Sequence, residues 1–190
     1  MRRFCAGSAL FLLLIACLYA CIASFAFDPS VYAQEPPFDL MAQETSAYLR
    51  GELDSLSPSL FGEQERLHME DVRGLFRFGR RTAIVSCALG ALFLGLGWTE
   101  RKQLWIGAAA FSAVLAALAV WAAFDFSGWF TAMHRIAFSN DLWLFEPSSP
   151  LIQMMPESFF VSAVVQIGGK LLVCLCGAFL IGFLAKGKKA

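Results

Sequence analysis

Histidine is the side chain whose unperturbed pKa lies closest to neutral pH, and this chain of 190 residues contains two of them, His68 and His134. His68 lies in the run ERLHMED, in which Asp71 follows three positions later and shares its face if the run is helical. A carboxylate so placed can orient the imidazole ring and leave one ring nitrogen free as a base. The pair therefore predicts acid–base chemistry if the fold brings both rings to one place.

Other interpretations of the two histidines stay open at this point. Together with Asp71 and Asp141 they could bind a metal ion, although their spacing matches no zinc pattern, and two histidines on different helices can ligate haem. Each could also be an ordinary polar residue at a membrane interface. The chain has no GxSxG nucleophile elbow, Gly-rich phosphate loop or basic nucleic-acid patch, so it offers no signal for binding nucleic acid.

The composition indicates the elements that must hold these residues. Hydrophobic residues make up 58% of the chain and charged residues 16%, and the mean hydropathy is +0.61. Soluble domains have about 45–50% apolar and about 25% charged residues. We therefore predict an all-α integral membrane protein.

Four apolar stretches are long enough to cross a bilayer, which takes roughly 20 residues. They are residues 4–27, 80–98, 104–124 and 162–185. We predict one membrane domain, a four-helix bundle with helical extracytoplasmic segments at residues 28–79 and 125–160. From Glu63 the helical pattern continues into the second stretch without a proline, which predicts one long helix with a projecting end.

The distribution of charge sets the expected orientation. The short segments at residues 1–3, 99–103 and 186–190 hold seven basic residues and the single acid Glu100, while the two other segments hold fourteen of the fifteen acids. By the positive-inside rule we predict that both termini are cytoplasmic. Four arginines at residues 73–81 argue against this orientation, because they lie at the end of the second span that is predicted to be extracytoplasmic.

The first stretch could also be a cleaved signal segment, because the LIAC run ending at Cys17 resembles a lipobox. Its apolar core is longer than the usual 7–15 residues, so we expect it to be retained as an anchor. The six cysteines all lie in predicted spans and are expected to be packing residues. Lys170 lies inside the fourth span, where it either is functional or snorkels to the headgroups.

Two sequence blocks resemble those of a known family. The block HMEDVRGLF at residues 68–76 is similar to an H-x-x-D-V-basic signature, and MHRIAFSNDLWLF at residues 133–145, followed by PESFF at 156–160, resembles a second signature. Both belong to the lipoprotein intramolecular transacylase family of four-span bacterial membrane proteins. The resemblance extends over nearly the whole chain.

The resemblance implies an acyltransferase. It would move the sn-2 acyl chain of a lipoprotein's S-diacylglyceryl group to the α-amine of the same N-terminal cysteine, giving a lyso-form lipoprotein. His68 and His134 are the implied catalytic residues, one neutral and the other protonated, and no cofactor or metal is implied. Among the expected supporting residues, Asp71 would orient His68, and Asn140 would donate a hydrogen bond to the oxyanion. Trp143 would belong to an aromatic surface that binds acyl chains, Arg73 and Arg135 would bind polar groups of the lipid or peptide, and Asp141 is a further supporting residue.

The implied partners are diacylglyceryl-modified lipoproteins and membrane lipid, with the protein a monomer in the bacterial cell membrane. Two other functions remain as alternatives. A small transporter or accessory subunit would need polar residues along the spans, where the sequence offers little besides Gln166 and Lys170. A haem-binding redox protein is the third interpretation.

Overall fold

The computed structural model describes residues 1–32 and 38–184, and every regular element within them is helical. The α-helices are α1 (Arg2–Ala26), α2 (Phe38–Arg50), α3 (Glu63–Gly97), α4 (Arg101–Phe124), α5 (Phe126–Ala137), α6 (Pro150–Met154) and α7 (Glu157–Leu184), with a 3₁₀ turn at Pro29–Val31. The predicted all-α class is thus confirmed. The end of the fourth predicted span and the C-terminal lysines at residues 186–189 lie outside the described residues.

Four of these helices, α1, α3, α4 and α7, are long and apolar enough to cross a membrane, as predicted. Helix α3 has 35 residues, which corresponds to a length of about 52 Å, whereas the hydrocarbon core is about 30 Å thick. Its charge-free part begins at Thr82, so the preceding half, with most of its polar residues, is the part that exceeds the bilayer. The predicted long helix from Glu63 is therefore present.

The chain divides into two compact units. The span unit consists of Met1–Cys21, Gly79–Asp125 and the residues from Ile167 onwards; the histidine unit consists of Ile22–Phe78 and Phe126–Gln166. The core of the span unit is made of small and branched apolar side chains. Its fully buried members are Ala6, Ala9, Leu10, Leu14, Leu104 and Ala108.

Small residues allow the helix backbones of the span unit to approach closely. A Cβ atom added at Gly107 of α4 would collide with the carbonyl oxygen of Gly7 in α1, and one added at Gly97 would lie 2.7 Å from the Cα of Ala6. In a bilayer the hydrophobic effect does not drive helices together. They associate instead through the van der Waals contacts that close backbone approach allows. The glycine at residue 107 is thus required by packing.

Gly107→Ala is expected to destabilise the span unit by about 1–3 kcal/mol, because the added methyl group overpacks a backbone contact. Gly95→Ala is the matched control, since nothing lies within 4 Å of its Cβ position. Thermal unfolding in detergent should show a lower Tm for the first variant and an unchanged or higher Tm for the second. Equal Tm values for both variants would contradict the close approach.

The histidine unit has its own hydrophobic core, in which α2 contacts α6. Met41, Tyr48 and Leu49 of α2 are buried together with Met69 of α3 and Met154 of α6. The amphipathic pattern of α2 explains this, since its buried positions recur at helical spacing along one face. This core holds the first half of α3 in place.

A buried carboxylate fastens the start of α3 to α6. Glu65 is only 3% exposed, and its Oε2 accepts a hydrogen bond of 2.8 Å from the backbone N–H of Gly62. Its Oε1 accepts one of 2.9 Å from the N–H of Leu151 and another from the hydroxyl of Ser149, the residue that precedes α6. One side chain thus satisfies free donors at the beginnings of two helices, where such donors lack intrahelical partners.

Glu65→Ala is expected to lower the free energy of unfolding by about 3 kcal/mol, because hydrogen bonds to a charged group contribute about 1.5–3 kcal/mol each and buried donors would lose their acceptor. Glu63→Ala, in the same first turn but exposed, should change it by no more than about 0.5 kcal/mol. The measurement is chemical or thermal unfolding of the purified protein in detergent. An equal decrease in the free energy of unfolding in the two variants would show that the Glu65 carboxylate does not hold α3 against α6.

Candidate active site

His68 is held on α3 in an aromatic environment. It is 6% exposed, and its ring makes edge-to-face contacts with Phe138 at 5.0 Å and Phe145 at 5.4 Å between ring centroids. Its Nδ1 is buried and has no hydrogen-bond partner among the described residues. A buried polar atom without a partner is unusual in a protein and is a typical feature of functional sites.

His134 lies in the last turn of α5. Its Nδ1 is 2.8 Å from the carbonyl oxygen of Phe130, one turn earlier. A carbonyl oxygen only accepts hydrogen bonds, so Nδ1 carries the proton of the neutral ring and Nε2 keeps its lone pair. Phe130 and Trp143 contact the ring at centroid distances of 4.0 Å and 5.1 Å.

The structure brings the two histidines together within the histidine unit. Their ring centroids are 6.4 Å apart, and the ring planes are inclined by 24°. Phe138 contacts both rings, at 5.0 Å from His68 and 5.6 Å from His134. Two imidazoles at this distance can act on neighbouring atoms of one reacting group.

Both rings favour the neutral form. Burial, with a smaller contribution from the nearby His134, lowers the pKa of His68 to about 4 against the opposing effect of Asp71. Burial likewise lowers the pKa of His134, partly offset by its hydrogen bond to Phe130. Both shifts favour the neutral imidazole, whereas the sequence analysis expects one neutral and one protonated ring.

Asp71 and Asn140 interact with each other across 69 positions of sequence. The Asn140 side-chain amide donates a hydrogen bond of 2.9 Å to Asp71 Oδ2, and its oxygen accepts one of 3.1 Å from the N–H of Leu142. Asp71 remains close enough to His68 to act on its pKa. Asn140 is the residue expected to donate to an oxyanion, and one of its two side-chain N–H groups is thus already hydrogen-bonded to Asp71.

Gln64 was not predicted as a site residue. Its amide donates hydrogen bonds of 3.0 Å to the carbonyl oxygens of Leu142 and Leu144, so it holds the segment that carries Trp143 and Phe145. Gln64, His68 and Asp71 recur at i, i+4 and i+7, which places them on one face of α3. That spacing was visible in the sequence and could have identified the residue.

Among the other predicted residues, Arg73 contacts α2 and the segment after it, on a different side of α3 from His68. Arg73 is over the ring of Tyr48 at 4.4 Å and donates a hydrogen bond of 3.2 Å to the carbonyl oxygen of Asp54. Arg135 and Asp141 are exposed. Within the part of the chain that the structure describes, no group of three or more His, Cys, Asp or Glu side chains is arranged to hold a metal ion.

The lowered pKa of His68 predicts a dependence of stability on pH. A buried histidine with a pKa of about 4 instead of 6.5 is protonated more readily in the unfolded chain, so stability is highest above pH 6.5 and decreases as the pH falls towards 4. His68→Gln should flatten this decrease, and an NMR titration should show His68 neutral at pH 5.5. A His68 ring that is protonated with an ordinary midpoint would contradict its burial.

Comparison with known proteins shows which family this chain belongs to. Residues 7–160, which include both histidines, match the family model described as lipoprotein intramolecular transacylase Lit. A comparison with curated proteins gives no match. The matched part is more than half of the chain and covers both helices that carry the histidines.

Solved structures support the fold. The chain is similar to the membrane-integral lipoprotein intramolecular transacylase of Bacillus cereus, with 24% identity and a TM-score of 0.75 over 97% of this chain and 94% of that one. A variant of the same protein, with one histidine replaced by alanine, matches at 21% identity and a TM-score of 0.74 over 97% and 93%. The chain is thus a multi-pass membrane protein and belongs to the lipoprotein intramolecular transacylase family, a family of acyltransferases.

Proposed function

We propose that this protein moves the sn-2 acyl chain of a lipoprotein's S-diacylglyceryl group to the α-amine of the same N-terminal cysteine, which yields a lyso-form lipoprotein. Family membership supports the reaction class. The observation that carries the residue assignment is the facing pair of neutral histidines with ring centroids 6.4 Å apart. An amine and an ester of one substrate react with a high effective concentration, so the enzyme mainly has to handle protons.

His134 is the proposed general base. Because its Nδ1 donates to Phe130, its Nε2 is the basic nitrogen that remains available. The α-amine attacks the ester carbonyl carbon, a C–N bond forms, and the amine proton passes to Nε2. The resulting imidazolium then gives that proton to the glycerol oxygen as the ester C–O bond breaks, so that an amide and a free hydroxyl result.

His68 is the proposed electrophile. Its neutral form is stabilised by burial, and a neutral imidazole N–H can donate a hydrogen bond to the oxygen that becomes negative in the tetrahedral intermediate. A neutral donor placed in an apolar environment needs little reorganisation when charge develops. Asp71 stays near His68, while Asn140 fixes Asp71 through their hydrogen bond.

The acyl chain is proposed to lie against the aromatic side chains around the pair. Phe130 contacts Phe126 and Phe160, with ring centroids 6.1 Å and 4.9 Å away, and Trp143 covers His134. These rings provide a large apolar contact area, and tryptophan is favoured at the level of lipid headgroups. In this proposal the exposed Arg135 contacts polar groups of the substrate, and Asp141 has a supporting role in the same segment.

We also infer the orientation in the membrane. Both termini and the loop at residues 99–103 lie in the cytoplasm, because they carry the excess of basic residues. The histidines are then on the extracytoplasmic side, where the diacylated N-terminus of a bacterial lipoprotein is located. The protein acts as a monomer in this proposal, since both histidines come from one chain.

His68→Ala and His134→Ala should each lower conversion by about 10²–10⁴-fold, because each removes a group that acts on the transition state. The measurement is mass spectrometry of a lipoprotein N-terminus after expression of each variant in a host that makes diacyl lipoproteins. Met133→Ala is the matched control, as an exposed residue next to His134. An unchanged diacylglyceryl N-terminus with the unsubstituted protein, verified in the membrane, would overturn the proposed reaction.

A further inference from the structure

A cavity in the histidine unit is lined by charged residues that the proposed reaction does not use. It has a volume of about 470 Å³ and lies between α3 and the segment that includes the end of α2. Its charged lining consists of Arg66, Arg73, Arg77, Glu63, Glu70 and Asp54. A cavity with this lining suits a polar ligand and does not suit an acyl chain.

The cavity and the histidine pair are on different faces of α3. Arg66, Arg73 and Arg77 lie within about 40° of each other around the helix axis, at 3.6 residues per turn. His68 is two positions after Arg66, which turns it by about 200° from that row. The arginines therefore form a separate site.

These charges do not neutralise each other directly. Glu63, Arg66, Glu70 and Arg73 follow one another at the i+3 and i+4 spacings that favour ion pairs on a helix. Yet among the described residues no salt bridge with an N–O distance of 4.0 Å or less involves this set. The opposite charges thus line the cavity without being paired in it.

Two observations indicate that the guanidinium groups are positioned for a ligand. The Nε of Arg66 is buried and has no hydrogen-bond partner among the described residues. Arg73 is fixed by the ring of Tyr48 and by the carbonyl oxygen of Asp54, which leaves most of its five donors available. An unpaired buried donor costs free energy that a bound acceptor would recover.

We propose that this cavity binds a phosphoethanolamine group, with the phosphate on Arg66, Arg73 and Arg77 and the ammonium on Glu63 and Glu70. Arginine forks match phosphate oxygens, and a primary ammonium has three N–H donors for carboxylates. The lining carries three positive and three negative side chains, so a zwitterion complements it better than a simple anion. The group can come from the headgroup of phosphatidylethanolamine or from a soluble ester of the same chemistry.

The test measures lipid binding by the purified full-length protein, by native mass spectrometry in detergent. The probes are phosphatidylethanolamine, phosphatidylglycerol and phosphatidylcholine with identical acyl chains. We expect phosphatidylethanolamine to bind about tenfold or more tightly than the other two, since the second lacks the ammonium and the third lacks its N–H donors. Equal binding of all three lipids, or tighter binding of phosphatidylglycerol, would overturn the proposal.

Variants separate the two halves of the site. Arg66→Gln and Arg73→Gln should each weaken phosphatidylethanolamine binding by about 10–100-fold, the equivalent of losing a charge-assisted hydrogen bond. Arg2→Gln, which removes an exposed guanidinium from the span unit, should leave it unchanged. The double variant Glu63→Gln, Glu70→Gln should lose the preference for phosphatidylethanolamine over phosphatidylglycerol, a change of selectivity that misfolding would not produce.

Competition with soluble compounds distinguishes a lipid headgroup from a soluble ester as the source of the phosphoethanolamine group. Displacement of the lipid by glycerophosphoethanolamine supports recognition of the headgroup alone, whereas lipid binding without such displacement supports a membrane-embedded ligand. Displacement by inorganic phosphate at the same concentration would overturn the ammonium contact, and displacement only by a lipoprotein peptide would show that the cavity is a peptide site. Binding is measured without catalysis, so the result does not depend on the reaction proposed for the histidines.

Discussion

The arrangement of the histidine unit depends on the buried carboxylate of Glu65. A carboxyl group with 3% exposure is stable only when its oxygens accept enough hydrogen bonds, and here the donors come from the beginnings of two helices. This requirement fixes where α3 begins relative to α6. His68 follows on the next turn of α3, so the position of its ring is tied to the same hydrogen bonds.

The two histidines owe their protonation state to their surroundings rather than to a charged partner. Aromatic rings exclude water from both imidazoles, and desolvation is the main cause of both lowered pKa values. Asp71 opposes this effect on His68 but is itself hydrogen-bonded to Asn140. A neutral pair is suited to moving one proton between atoms of a single substrate, because neither ring has to lose a proton before it can accept one.

The sequence predicted the elements better than the contacts. Apolar runs of about 20 residues are a direct consequence of bilayer thickness, so the four spans and the continuous α3 could be recognised from composition and the absence of proline. The partnership of Asn140 with Asp71 could not, since no local pattern relates side chains 69 positions apart. The place of Arg73 on α3, about 140° around the helix axis from His68, follows directly from helical periodicity. Its contacts with Tyr48 and Asp54 do not, because they depend on how the segment before α3 folds back.

The first turns of α3 have little tolerance for changes in length. One inserted residue between Glu65 and His68 would rotate the two by about 100° relative to each other. An inserted heptad would nearly restore the angle but would add about 10 Å to their separation along the helix axis. A substitution in the first turns of α3 changes one contact. An insertion or deletion there would instead misplace either His68 or the three arginines at positions 66, 73 and 77. We therefore expect the spacing from Gln64 to Arg77 to be a stricter constraint on this protein than the identity of most residues within it.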